Sequence, residues 1–181
     1  LGKTTVYYWI KDIKINYDKS EVSRKSWKQR RVNEELTKVL KPINPLYNEK
    51  LYASFAASQR GNISAAAIFY RLCAFGFSVF SPVFDGERVD VVVESPSKKL
   101  IKIQIKSLQQ GKFGQPLLSL RRNFKNRKIL YVKGEFDFII GYGFKHDEAY
   151  VFSWEETQGY RANIAVTEDS KEAWQKLISF V

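Results

Sequence analysis

The chain has no methionine, one cysteine and one histidine in 181 residues. Each scarcity closes off a chemistry. The lone Cys73 has no internal disulfide partner, which suits a reducing compartment. It lies in Phe69-Tyr-Arg-Leu-Cys-Ala-Phe75, an apolar helical pattern, and is expected to be a buried structural thiol rather than a nucleophile. The lone His146, in Lys145-His-Asp-Glu148, reads as part of a turn and cannot build a multi-histidine metal site. With Cys73 in a core-like helix, a Cys/His nucleophilic pair fails as well. No apolar run approaches the ~20 residues of a membrane span, and the first residues are polar and basic, unlike a signal peptide. The expected location is therefore the cytoplasm, an organelle or a phage-infected cell, without secretion. The absence of methionine suits a chain that begins downstream of its natural start.

Acidic residues are scarce in one place above all. Lys98, Lys99, Lys102, Lys106, Lys112, Arg121, Arg122, Lys125, Arg127, Lys128 and Lys133 follow one another without an intervening Asp or Glu. The net charge is +11. A solvated face explains a short charge run; an acid-free run of this length in a folded segment favours a polyanionic partner, nucleic acid first.

Length allows one ordinary domain with an appendage. Residues 1–17 carry helical spacing through Val6, Trp9, Ile10 and Ile13, and residues 19–40 form a second helical candidate. Pro42 and Pro45 break the pattern. The expected division is a helical extension over 1–44 and a larger domain over 45–181. Helices are expected over 46–57 and 63–75, the latter closed by Gly76, and a last helix over 170–180 with Trp174, Leu177 and Ile178 on one side. Strands are expected over 77–80, 88–94, 100–108, 117–120, 136–142 and 149–154. A helix, a run of strands and a helix indicate an α/β domain with a mixed central sheet flanked by helices.

The segment from Asp90 to Lys106 carries the chemistry. Period two puts Asp90, Val92 and Glu94 on one face of a strand, with Val89, Val91 and Val93 on the other. On the following strand Lys102, Gln104 and Lys106 oppose Ile101, Ile103 and Ile105. A hairpin of the two lets Asp90 meet Gln104 and Lys106, where a carboxylate, an amide oxygen and an ammonium can converge on Mg²⁺ and a water. A solvent-facing amphipathic hairpin is the competing reading of the same residues.

The stretch 61–107 resembles the PD-(D/E)XK nuclease superfamily: a helix, then Phe77-Ser-Val-Phe-Ser-Pro-Val83, then Asp90 in Arg88-Val-Asp-Val-Val92, then Gln104-Ile-Lys106. Within it, Gly61-Asn-Ile-Ser-Ala65 together with Gln104-Ile-Lys106 is most similar to group I intron homing endonucleases and related small bacterial and phage enzymes. Phe136-Asp-Phe-Ile-Ile-Gly-Tyr142 and Ala149-Tyr-Val-Phe-Ser-Trp154 resemble that group's later strands. The resemblance implies a restriction-endonuclease-like fold and site-specific cleavage of double-stranded DNA. Asp90, the amide oxygen of Gln104 and the carbonyl of Ile105 would ligate Mg²⁺, with Mn²⁺ as a substitute, and Lys106 would polarise the attacking water. Gln104 stands where many relatives carry Glu or Asp. Ala65 stands where the homing-endonuclease-like group usually carries a Glu, so this chain departs from the pattern at one metal ligand; Glu87 is the nearest substitute in sequence. A junction-resolving nuclease and a catalytically silent DNA-binding protein remain alternatives, and cutting two strands implies a homodimer or a higher symmetric oligomer.

The first helix resembles the recognition helix of a helix-turn-helix, with Thr4, Thr5 and Tyr8 placed to read bases; packing on the body is the other reading. Arg121, Arg122, Lys125 and Arg127 are candidates for phosphate contact. Phe113, between Gly111 and Gly114, either inserts against DNA or folds beneath its own loop.

Overall fold

A computed structural model describes residues 42–83, 87–124 and 127–180. Thr4, Thr5, Tyr8 and Lys125, expected to contact DNA, and the helices expected before residue 41 lie outside the described residues. From Ile43 onward these residues belong to the unit Ile43–Val181.

Two helices come first. Helix α1 (Glu49–Ser54) is shorter than expected. The Asn48 side chain caps it by accepting the Leu51 N–H at 3.0 Å, and extended backbone at Phe55 ends it. Helix α2 (Ala57–Ala74) starts six residues before the apolar spacing suggested. There the Gln59 side chain accepts the Ala56 N–H at 2.8 Å, an N-terminal contact that hydrophobic periodicity does not register. Gly76, at φ +83°, follows its end as expected.

Strands β1 (Ser78–Phe80), β2 (Val91–Glu94), β3 (Leu100–Ser107), β8 (Phe138–Gly143) and β9 (Glu148–Ser153) form the central sheet in the order β1-β2-β3-β8-β9. β3 and β8 are parallel and the other neighbours antiparallel, so the sheet is mixed. The connection between β3 and β8 holds β4 (Gln109–Gln110), β5 (Pro116–Ser119), β6 (Arg121–Phe124) and β7 (Arg127–Leu130). β5 pairs with β4 and with β10 (Asn163–Ala165), and β6 with β7. Of these, only β5 was legible in the sequence.

The two faces of the central sheet are covered differently. On one, Val91, Val93, Ile101, Ile103, Ile105, Phe138, Ile140 and Val151 pack against Ile68 and Leu72 of α2 and against Trp174 and Leu177. On the other, Ile139, Tyr150 and Phe152 pack against Leu118, Leu120, Tyr131, Phe136 and Ile164. Helices thus cover one face and the small β10-β5-β4 sheet helps cover the other.

Two expectations need correction. Cys73 is exposed, because the inward positions of α2 are Ile68 and Leu72, and the residue after Leu72 points away from the sheet. The single closing helix is instead a 3-10 turn (Glu168–Ser170), a bridge from Lys171 to Tyr150, and the short α3 (Gln175–Ile178). Trp174 and Leu177 are buried as expected, whereas Ile178 is 38% exposed. A side-chain ladder at the Lys171 bridge explains the interruption: Glu172 accepts the Ala149 N–H at 2.6 Å and the Trp174 indole N–H at 2.7 Å.

Candidate active site

Gln104 faces β8 at Ile139 and Lys106 faces it at Gly141. Val91 pairs with Ile103, so the register brings Asp90 opposite Gln104 at the point where β2 begins. Asp90 Oδ2 accepts the Ile105 backbone N–H at 2.7 Å and a hydrogen bond from Gln104 Nε2. The hairpin with a shared Asp90–Gln104–Lys106 face is therefore the arrangement found; the solvent-facing alternative does not hold for Gln104, which is 4% exposed.

The electrostatics of the cluster are those of charges taken partly out of water. Burial pushes the Asp90 carboxyl above the usual carboxylate range, against the pull of the Ile105 N–H and the Lys106 ammonium. Burial draws the Lys106 ammonium below its ordinary value, with Asp90 opposing. The two charges sustain one another, and the environment works against both.

Tyr131 completes this neighbourhood and was not singled out by sequence reasoning. Lys106 Nζ lies 5.4 Å from the centroid of its ring, within cation–π range. The ring is 8% exposed. Burial, then the Asp90 charge, raises the phenol pKa, so Tyr131 stays protonated. The next residue is pinned: Glu135 accepts the Val132 N–H at 2.8 Å and an Arg122 guanidinium N–H at 2.8 Å. Glu135 is the first acid after the long basic run, and that is the one trace of this clamp in the sequence. Arg122, a candidate for phosphate contact, thus holds a buried carboxylate. Arg121 and Arg127 are exposed on the β6–β7 hairpin, and Arg121 also donates to the Arg161 carbonyl at 3.4 Å.

The donors fit a hard divalent cation with oxygen ligands. Asp90 Oδ2 is engaged by two N–H donors, and no described contact claims Oδ1. The Gln104 amide, donating through Nε2, keeps its oxygen for another partner. In a strand the N–H and C=O of one residue point to the same edge, so the Ile105 carbonyl faces the edge where its N–H meets Asp90. The β2–β3 ladder ends at Val91–Ile103 and leaves that carbonyl unclaimed from this side. The set carries a single negative charge. Among the described residues no three Asp, Glu, His or Cys side chains gather to hold a metal, and Glu87 is exposed with no described contact to Asp90.

Helix α2 reaches the same end of β3. Ser64, 1% exposed, shares a hydrogen bond of 2.8 Å with Ser107, the residue after Lys106. Ala65 is its chain neighbour. The position expected to carry a carboxylate is therefore on the helix joined to the end of β3 by that bond, and a methyl group stands there.

No curated protein matches the chain. Among solved structures, it is similar to the bacterial homing endonuclease I-Ssp6803I, at 25% identity and a TM-score of 0.62, over 68% of this chain and 94% of that one. A family model described as PD-(D/E)XK endonuclease matches residues 55–180. That span includes α2, Asp90, Gln104-Ile-Lys106, Tyr131 and the whole central sheet, and the chain belongs to the PD-(D/E)XK endonuclease family.

Proposed function

We propose that the protein is a site-specific endonuclease for double-stranded DNA that hydrolyses the phosphodiester with Mg²⁺. The observation that carries this reading is the convergence of Asp90, Gln104 and Lys106 at one end of β3, in a domain whose exposed cations include Lys112, Arg121, Arg127, Lys128 and Lys133. A bound divalent cation supplies Lewis acidity at the phosphate and acidifies a water. Asp90 Oδ1, the Gln104 amide oxygen and the Ile105 carbonyl would hold it. Lys106, steered by the Tyr131 ring, places its ammonium beside the attacking water and the charge that builds on the phosphoryl oxygens. The exposed cations grip neighbouring phosphates and set the register of the duplex. Residues 1–44 would add base contacts through Thr4, Thr5 and Tyr8, and two copies related by symmetry would cut both strands, inside a cell.

One observation favours a second reading, a DNA-binding protein without cleavage: α2 carries Ala65 where the resemblance led us to expect a carboxylate. The experiment that separates the two is a nicking assay with Mg²⁺ and with Mn²⁺ on the chain as it stands and on Ala65→Glu. Cleavage that appears or rises in Ala65→Glu supports the nuclease. DNA binding with no cleavage by either protein establishes the silent binder. A four-way junction run beside a linear duplex identifies a junction-resolving preference.

A further inference from the structure

The β4–β5 connection ends in an aromatic side chain held out into solvent. Phe113 is 82% exposed, which removes the option that it folds beneath its loop. The turn beneath it is tightly built. Gly111 N–H donates to the Gln115 carbonyl at 2.8 Å and Gly114 N–H to the Gly111 carbonyl at 2.9 Å. The Gln115 side chain tucks under the turn and accepts the Phe113 N–H at 3.0 Å. Both glycines are needed for this shape. Gly114 has φ +83°, and a Cβ on Gly111 would lie 2.7 Å from Gln115 Cδ, in the space the Gln115 side chain uses. A large apolar side chain is thus kept in water by a rigid support.

We propose that Phe113 is a wedge that enters a base step of duplex DNA, and this rests on the proposed DNA-cleaving function. Three observations select DNA as the occupant. The residue lies inside the acid-free run from Lys98 to Lys133. Its neighbour Lys112 holds its ammonium 5.8 Å from the ring centroid, so a cation accompanies the ring to the surface it meets. The turn also grows from the end of β3 that carries the site: Phe113 is seven residues past Lys106, at most about 25 Å along an extended chain. That is about seven base pairs along a duplex at ~3.4 Å each. Apolar wedges that part a base step and kink the helix are an established way of exchanging stacking for a more closely wrapped protein surface.

The test uses the full chain with Ca²⁺ in place of Mg²⁺ and short duplexes carrying 2-aminopurine at successive steps, whose fluorescence rises when the base unstacks. The expected result is a rise at one or a few neighbouring steps on binding. Phe113→Ala removes the rise and weakens binding by at least about fivefold, the smallest effect expected of a lost stacking contact. The salt slope of binding stays unchanged, because no phosphate contact is lost. Phe113→Trp keeps the rise, and Gly111→Ala, which displaces Gln115, diminishes it. Absence of salt-dependent DNA binding by the unsubstituted chain would overturn the functional reading itself. Salt-dependent binding without a rise at any step, or a rise that persists in Phe113→Ala, overturns the wedge alone. A change of molecular mass in solution on Phe113→Ala, with the rise intact, makes the residue a contact between protein copies.

Discussion

Strand β3 meets two environments across one backbone. Toward α2 it presents Ile101, Ile103 and Ile105, sealed between helix and sheet. Toward Tyr131 it presents Lys102, Gln104 and Lys106, and here each side chain has a partner of its own. Lys102 donates to the Gly134 carbonyl, Gln104 to Asp90, and Lys106 rests on an aromatic ring. The first face gains from removing apolar area from water. The second holds charges against the cost of desolvation, as the opposed displacements of Asp90 and Lys106 record. Stability and chemistry are therefore separated by the pleat of one strand, and substitutions two residues apart act alike where neighbours differ.

The largest expected effect lies on the polar face. Asp90→Asn and Lys106→Ala should each lower any cleavage by at least about 10²–10³-fold, and Asp90→Asn should melt at or above the temperature of the unsubstituted chain. A folded-state carboxyl pKa above its unfolded value means that Asp90 favours the fold below the unfolded pKa and loses that contribution as pH rises through the folded one. The neutral Asn avoids that loss at neutral pH. Cleavage assays paired with thermal melts check both halves, and a marked loss of stability in Asp90→Asn breaks the separation.

The converse lies on the sealed face. Ile103→Ala should cost about 2–5 kcal/mol in urea unfolding, while DNA binding per folded molecule is unchanged. Next comes a contrast between adjacent arginines. Arg122→Ala strands the buried Glu135 and should cost about 3 kcal/mol, whereas Arg121→Ala should stay within about 0.5 kcal/mol in stability. Arg121→Ala should instead lower the salt slope of DNA binding by about one. Equal stability losses at the two positions would show that the hairpin does not divide its arginines between fold and ligand.

The smallest effect sharpens the comparison from the edge of the sealed face. Arg71 of α2 donates to the Asp147 carbonyl and carboxylate, each at 2.9 Å, and tethers the helix to the β8–β9 turn. Arg71→Met should cost about 1–2 kcal/mol. Burial pushes the Asp147 carboxyl up, but hydrogen bonds from Tyr142 and Arg71 outweigh it and hold the carboxyl below its ordinary value. With the folded pKa lowered, Asp147 stabilises the fold above its unfolded pKa and loses that contribution as pH falls through the folded one. The gap between the two proteins' melting temperatures should accordingly narrow on acidification.

How much of this was readable beforehand follows the range of the interactions. The β2–β3 hairpin is local and strictly alternating, so spacing put Asp90 within reach of Gln104, and the family resemblance favoured that arrangement over a solvent-facing hairpin. The central strands after residue 136 declared themselves by continuous apolar character. Between them, β6, β7 and the Glu135 clamp were hidden, since Arg122 and Glu135 look like ordinary surface charges until tertiary packing brings them together. Tyr131 was hidden for the same reason: no local period relates it to Lys106. Cys73 misled because the apolar helix around it is wide, and one position of register decides which side chain is covered.

The parallel pairing of β3 with β8 has a consequence for how such a molecule can change. A parallel pair cannot be closed by a tight turn, so the chain must make an excursion from Ser107 to Phe138. The wedge residue, the basic hairpin, the Tyr131 ring and its Glu135 latch all ride on that obligatory detour. Loop closure grows dearer only slowly with length, by about 0.6 kcal/mol for each doubling. The turns of the excursion can therefore change length at little closure cost, whereas Leu118, Leu120, Tyr131 and Phe136 must stay to cover the sheet, and Gln104-Ile-Lys106 stay fixed on the strand that leads into it. Under the proposed function, variation in those turns would redirect which DNA is gripped without rebuilding the Asp90–Gln104–Lys106 cluster.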